Sequence, residues 1–376
     1  MSKTNIPIEV KRQLWFKAHG RCEFNGCNKR LDVNGVTFDQ CDLSNAAHII
    51  ADSPQGPRGN DKLSKELAKD EKNLMLMCPE CHKYIDHEGA GKYSAEQLLK
   101  MKKEHENRIE MLTAICPSMK SLVVLYGANV GHDTPLFCKD DIYYTITPEH
   151  YPACSSPVSI ELKNSSFYDS REQYWIMENE QLMNKCKFDV LGRLSDKEIS
   201  HVSLFAFAPQ PLLVKLGTLL NDKFNVDVYQ KHREPDSWAW QIYKGDNSLK
   251  IVTPGDKTKE PVIVFALSSD TIIERINKRF AGNASIWIVT CEHPNNDMLK
   301  SKDQSKEFRM AVRNLINGIE TETTYSSLKM FMAMPAALAV ELGRIRMEKA
   351  NMEWVLYDYI REMDEDFETI KIINNE

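Results

Sequence analysis

The chain has 376 residues, 42% of them apolar and 27% charged, with a net charge of −6; that length exceeds one ordinary core and implies two or three domains. The mixture is that of a soluble globular protein, and the acidic balance excludes a protein that coats nucleic acid by bulk electrostatics. No apolar run approaches the ~20 residues that span a bilayer, and the opening MSKTNIPIEVKRQLW lacks a signal peptide's apolar region, so the expected compartment is the cytoplasm.

In chain order, residues 7–19 (PIEVKRQLWFKAH) read as a short helix with Pro7 near its first turn and Gly20 as its stop. The stretch RCEFNGCNKRL then supplies Cys22 and Cys27. GVTFDQCDLSNAAHII has the β-branched and aromatic content of a strand or hairpin and delivers His48 near its end. Residues 53–62 (SPQGPRGNDK) form a Pro/Gly loop in which Arg58 and Lys62 are candidate phosphate contacts. NLMLMCPECHKYIDH resumes a helical pattern and carries Asn73, Cys78, Cys81, His82 and Asp86. Ser94 and Gln97 make a capping box that opens a charged helix to about Leu112, read as a spacer, so the expected divisions are 1–92, a helical linker 93–120, and 121–376.

Cys-x4-Cys followed some fifty residues later by Cys-x2-Cys is the ligand grouping of a closed tetrahedral zinc site, whereas a redox Cys-x2-Cys needs no second pair. The other six cysteines (41, 116, 138, 154, 186, 291) show no disulfide spacing, which fits a reducing compartment. Residues 1–92 hold 14 Lys+Arg against 13 Asp+Glu, so any nucleic-acid contact there comes from a local patch or from several copies acting together. His82 and Asp86, four apart, share a helix face and can reach one hard cation.

Beyond residue 120, strand-like runs (SLVVLYG, PVSIEL, HVSLFAFA, PVIVFAL, ASIWIVT) alternate with helical stretches, which argues for α/β layers with parallel strands. Residues 205–217 (FAFAPQPLLVKLG) and 331–343 (FMAMPAALAVELG) share F-x-x-x-P-x-x-L-x-V-x-L-G at an offset of 331 − 205 = 126. Each copy is a strand, a proline turn and an apolar helix, so two related α/β halves are expected to face one another.

The order His48, Asn73, His82, framed by two cysteine pairs, resembles the HNH nucleases of the ββα-metal class. That resemblance implies His48 as general base, Asn73 as the residue orienting its imidazole, and His82 as ligand of a catalytic Mg²⁺ or similar ion beside the structural Zn²⁺. The position before the base, often a ligand in that family, is Ala47 here, which puts weight on Asp86. The whole chain resembles an HNH-SAVED effector of CBASS, the cyclic-oligonucleotide-based anti-phage signalling systems of bacteria. The carrying motifs are AAHIIADSPQGPRG, NLMLMCPECHKYIDH, the repeat and IVTCEHPNND.

The implied architecture is an α+β ββα-metal nuclease domain with structural zinc, joined by a helix to an α/β SAVED domain of two CARF/Rossmann-like halves. The implied activity is degradation of double-stranded DNA once a cyclic oligonucleotide, expected to be a dinucleotide, binds across the seam and drives homo-oligomerisation from dimer to tetramer. Parallel-sheet halves place ligands beside helix N-termini, so Gln210 and Ala336, which open the repeat helices, join Lys231, Arg233, Trp238 and Trp240 of QKHREPDSWAW as candidate contacts to phosphates and purines. Competing readings are a McrA-like restriction enzyme that reads modified DNA and a non-catalytic nucleotide sensor that recruits a partner.

Overall fold

The protein is seen in a computed structural model that describes residues 4–131, 136–147, 149–160, 168–195, 199–245, 247–361 and 363–374. The chain forms two compact units, Met1–Cys116 and Pro117–Glu376. Among the described residues no helix is long and apolar enough to cross a membrane.

In the N-terminal unit, α1 (Ile8–Ala18) ends where His19 and Gly20 take left-handed φ angles of 53° and 64°. After the cysteine-bearing loop come β1 (Asn45–His48), α2 (Leu63–Glu66), β2 (Leu74–Met77), α3 (Pro79–Lys83, extended by a π turn through Glu88) and α4 (Ala95–Thr113). β1 and β2 pair antiparallel with His48 opposite Leu74. The helical pattern expected from residue 73 is thus corrected: Leu74–Met77 is a strand buried along its whole length, and a short apolar run buried on both faces carries no period that tells strand from helix. The helix starts only at Pro79, whose fixed φ suits a first turn.

The capping box is present, with Ser94 Oγ accepting from Gln97 N–H and Gln97 Oε1 from Ser94 N–H. The spacer reading of this helix is corrected. Leu98 is fully buried, Lys102 bonds Glu71 (2.8 Å) and Glu106 (2.6 Å), and His105 Nε2 donates to the Ala18 carbonyl (3.1 Å). α4 is a wall of the N-terminal unit, and the boundary falls at Cys116/Pro117.

The C-terminal unit begins with β3 (Lys120–Gly127), α5 (Lys139–Ile146), β4 (Tyr151–Pro152), β5 (Val158–Ile160), α6 (Glu172–Lys185), α7 (Gly192–Ser195), β6 (Val202–Phe207), α8 (Gln210–Leu219) and β7 (Val226–Tyr229). The end of the expected strand PVSIEL lies outside the described residues. These strands make a parallel sheet in the order β4-β3-β6-β7, with β5 also on β3.

The second half comprises β8 (Leu249–Val252), β9 (Glu260–Ala266), α9 (Thr271–Phe280), β10 (Ala284–Cys291), α10 (Lys302–Glu322), β11 (Ser327–Ala333), α11 (Ala336–Arg344), β12 (Glu353–Ile360) and β13 (Glu365–Ile372). Its sheet runs β13-β12-β11-β9-β10-β8, parallel in the middle four strands and antiparallel at both edges. Residues 262–266 of β9 are fully buried, as a strand covered on both faces requires.

The repeat appears as β6–α8 and β11–α11, whose helices pack on each other. A Cβ on Gly217 would lie 2.8 Å from Gly343 Cα and inside the radius of the Val340 carbonyl oxygen. One on Gly343 would lie 2.8 Å from Gly217 Cα and against the Val214 oxygen. The partners exchange under the same offset (343 − 217 = 340 − 214 = 126), so the crossing is a local two-fold with backbone against backbone. Gly217→Ala should therefore destabilise the C-terminal unit by roughly 3 kcal/mol or more in urea unfolding, because backbone cannot yield as a side chain can. Gly318→Ala, on the exposed face of α10 with nothing within 4 Å of its Cβ, should be neutral or stabilise by about 0.5–1 kcal/mol.

Candidate functional site

Four sulfurs converge in the N-terminal unit. The Sγ atoms of Cys22, Cys27, Cys78 and Cys81 lie within 4.8 Å of one another, with Cys27 and Cys78 at 3.9 Å. Tetrahedral Zn–S bonds of about 2.3 Å place sulfurs about 3.8 Å apart, so the donor set fits a closed zinc site. Backbone N–H groups already point at it: Cys78 N–H donates to Cys22 Sγ (3.3 Å) and Cys81 N–H to Cys78 Sγ (3.4 Å). Burial, with the neighbouring Cys78 and Cys27 thiolates, pushes Cys22 up to about 12, and Cys81 is raised as well. A divalent cation held by these four residues would supply the charge that offsets this crowding.

His48 ends β1 and is buried; its Nε2 donates to the Ala68 carbonyl (2.9 Å), which leaves the lone pair on Nδ1. The expectation that Asn73 bonds this imidazole is corrected. Asn73 Oδ1 accepts from Ile50 N–H (2.8 Å), and Nδ2 donates to the Ile50 (2.9 Å) and Leu67 (3.2 Å) carbonyls. Asn73 thus ties the residue two past His48 to the segment that ends in Ala68, and it positions the ring through backbone.

His82 and Asp86 share a face of the α3 extension as expected, with His82 Nε2 3.2 Å from Asp86 Oδ2. Neighbouring ligands on an octahedral ion with bonds near 2.1 Å stand about 3 Å apart, so this pair fits two adjacent positions of a Mg²⁺-like cation. Burial works to raise Asp86, but the bonds from His82 and Arg58 outweigh it and hold its carboxyl below the ordinary range. Among the described residues, His48 does not join them in a three-ligand cluster.

Arg58 is corrected as a phosphate contact. Its guanidinium is buried and donates to Ile49 O (2.7 Å), Ile85 O (2.9 Å), His48 O (3.3 Å) and Asp86 Oδ1 (2.9 Å). It clamps the end of β1 to the α3 extension. Lys62 stands exposed on its loop.

In the C-terminal unit, α8 and α11 begin at Gln210 and Ala336, each behind a proline with extended ψ (139° and 142°). Gln210 Oε1 accepts from Met334 N–H (3.3 Å), and Gln230 Oε1 from Ala337 N–H (3.1 Å), so two glutamine amides bridge the halves beside the helix N-termini. Sequence reasoning missed Gln230, because a side chain bound to backbone leaves no motif. Trp238 is corrected: it is buried against Phe137 and Phe205 and offers no face to a purine. Lys231 pairs with Asp236 and lies over the Trp238 ring. Arg233 is exposed, and Trp240 is half-buried beside Tyr229.

A second cluster was not anticipated. His150 and His201 stack face to face (centroids 3.8 Å, 10°), with His201 Nε2 3.7 Å from Asp227 Oδ2. Their ligand atoms lie within 4.8 Å, yet parallel rings cannot both aim in-plane lone pairs at one ion, and Lys302 already holds Asp227 Oδ2 at 2.9 Å and Glu149 at 2.6 Å. We read it as a charge staple in which Lys302 of α10 grips two carboxylates of the first half.

Two α/β halves related by the repeat make up the C-terminal unit. Residues 184–371, half of the chain, match the SAVED family, described as the SMODS-associated and fused to various effectors sensor domain, and the chain belongs to that family. Among solved structures, the Acinetobacter baumannii Cap4 SAVED/CARF-domain containing receptor aligns with TM-score 0.42 and 10% identity, over 83% of this chain and 65% of that one. The same receptor with the cyclic trinucleotide 3'3'3'-cAAA gives 0.42 at 11% identity, over 84% and 67%. Moraxella osloensis Cap4 gives 0.37 at 10%, over 83% and 66%. The chain thus spans about two thirds of the length of these receptors. No curated protein matches it.

Burial, then the neighbouring His150 ring, depresses His201 to about 4, and burial lowers His150 too. A histidine whose folded pKa lies below its unfolded value near 6.5 contributes stability above pH 6.5 and loses it as pH falls toward 4. Between pH 7.5 and 4.5 the wild type should lose on the order of 1–3 kcal/mol more than His201→Gln in urea unfolding. Equal slopes would remove His201 as the titrating group.

Proposed function

We propose that this chain is a cyclic-oligonucleotide-activated DNA endonuclease of the CBASS type, with the N-terminal unit as nuclease and the SAVED unit as sensor. One observation carries the nuclease half. The antiparallel β1–β2 pair runs into α3 over a four-cysteine cluster, with His48 at the end of β1 and His82 on α3, which is a ββα arrangement. Membership of a sensor-domain family supports the other half.

In this reading His48 takes the proton of the attacking water at Nδ1, the atom left free of the Ala68 bond. Asn73 and Arg58 hold the backbone from His48 to Ile50, so the imidazole meets the water at a fixed angle. His82 and Asp86 would hold a divalent cation, which supplies neutralisation of the scissile phosphate when bound. Cys22, Cys27, Cys78 and Cys81 would hold Zn²⁺ in a purely structural role. Lys62 is free to meet a phosphate from its exposed loop.

His48→Ala should lower ligand-stimulated plasmid cleavage by roughly 10²–10⁴-fold and leave nucleotide binding unchanged, while the lost Ala68 bond lowers the stability of the N-terminal unit by about 1–3 kcal/mol. Near-normal cutting by that variant removes His48 as the base. Cys78→Ser should instead lose the bound metal and unfold the N-terminal unit, since structural zinc contributes on the order of 10 kcal/mol to such modules. A wild type that contains no zinc by metal analysis overturns that assignment.

With 14 basic against 13 acidic residues in its first 92, one copy of the nuclease segment should hold DNA weakly. Activation is therefore expected to work through assembly, in which clustered copies multiply weak phosphate contacts and set two centres on opposite strands. Light scattering should show the particle mass rising with the activating cyclic nucleotide, and cleavage should rise steeply with protein concentration. A constant mass during full activation rules assembly out.

A further inference from the structure

The segment 230–241 leaves the C-terminal end of β7 and closes on itself where His232 N–H donates to Ser237 O (2.8 Å). Its neighbours are well tied: Arg233 N–H to Asp297 Oδ1 (3.0 Å), Gln241 N–H to Lys300 O (2.9 Å), Gln241 Nε2 to Glu234 O (3.2 Å), and Gln230 to the first turn of α11. Against that background the His232 side chain stands apart. It is fully buried, and neither Nδ1 nor Nε2 has a hydrogen-bond partner among the described residues. The Trp240 ring lies edge-on to it (centroids 6.3 Å, 73°), and its buried Nε1–H is likewise without a partner.

Three unmet polar atoms in one place are costly, about 1–3 kcal/mol for each buried group left unsatisfied. A segment that served only to pack would carry leucine and phenylalanine there at no such cost. An uncharged imidazole offers one donor and one acceptor, and the indole adds a donor; that is the pattern read on the edge of an unstacked nucleobase. The segment also starts at the carboxyl end of a parallel strand, where α/β sheets take their ligands.

We propose that His232 and Trp240 are base-reading residues, which the 230–241 strap turns from its inner face toward a nucleobase of the bound cyclic oligonucleotide. This rests on the sensor reading above. The partners that these atoms lack in the free protein are supplied by the ligand, so recognition and strap movement are one event.

The test uses the full chain, calorimetric titration, and three probes: cyclic diadenylate, cyclic GMP–AMP and the cyclic trinucleotide 3'3'3'-cAAA. His232→Leu nearly keeps volume, Trp240→Phe keeps an aromatic ring, and the two remove the unmet polar atoms. His232→Leu should melt at or above the wild-type temperature without ligand, and each variant should bind the recognised probe at least about tenfold more weakly, a loss of about 1.4 kcal/mol. If the wild type binds a probe and both variants bind it equally well, this inference falls and the sensor reading stands. If both variants melt several degrees lower without ligand, the atoms are satisfied internally by water and the inference falls. If the wild type binds none of the probes, the inference and the sensor reading fall together.

Discussion

Where α8 crosses α11, two backbones meet with no side chain between them, and the architecture of the sensor unit follows from that contact. Each helix is fed directly by a strand of its own sheet, β6 or β11, so fixing the helices fixes the two sheets. Only glycine at 217 and 343 lets the axes come so close. The approach makes the Leu, Val and Leu of both copies one shared core: Leu212, Val214, Leu216, Leu338, Val340 and Leu342 are all buried together. The repeat is visible in sequence because both halves must meet the same steric condition.

The two ends of this crossing are held differently. At the C-terminal end, Arg344 of α11 reaches into the first half, donating to Leu220 O (3.0 Å), Phe224 O (3.0 Å) and Val226 O (3.2 Å) while paired with Glu341. The buried guanidinium thus makes charge-assisted bonds to the C-cap carbonyl of α8 and to two carbonyls of the loop and strand that follow it. At the N-terminal end the bridges are neutral amides, Gln210 to Met334 and Gln230 to Ala337, each worth about 1 kcal/mol net.

Much of this was legible from residue types and spacing. The cysteine pairs, the repeat and the parallel halves all come from patterns with a mechanical cause: four thiols that converge within 4.8 Å, two glycines for one crossing, buried β-branched runs for covered strands. The identity of β2 was not legible, because LMLM is apolar at every position and has no period. Nor was the role of α4, whose charged sequence suggests a solvated spacer. Lys102 and His105 are buried there because Glu71 and the Ala18 carbonyl meet them from elements far away in the chain. Asn73 was placed correctly near His48, but its actual partners are backbone groups of Ile50 and Leu67, and backbone partners have no sequence signature.

Arg58, Trp238 and Lys302 carry a further lesson about charged and aromatic side chains. Each has the chemistry that recognises phosphate or base, and each is spent inside the protein: Arg58 on four internal acceptors, Trp238 in an aromatic cluster, Lys302 on two carboxylates. A guanidinium with its donors used has little left to give a phosphate, since a bond to the ligand would first require breaking an internal one of similar strength. What separates a recognition residue from a structural one is therefore the state of its hydrogen bonds. In QKHREPDSWAW the two candidates with the clearest chemical signature, Lys231 and Trp238, are paired with Asp236 and buried in the core, while His232 keeps both ring nitrogens unmet. Satisfaction of polar groups, which only the fold reveals, reverses the ranking that residue type alone would give.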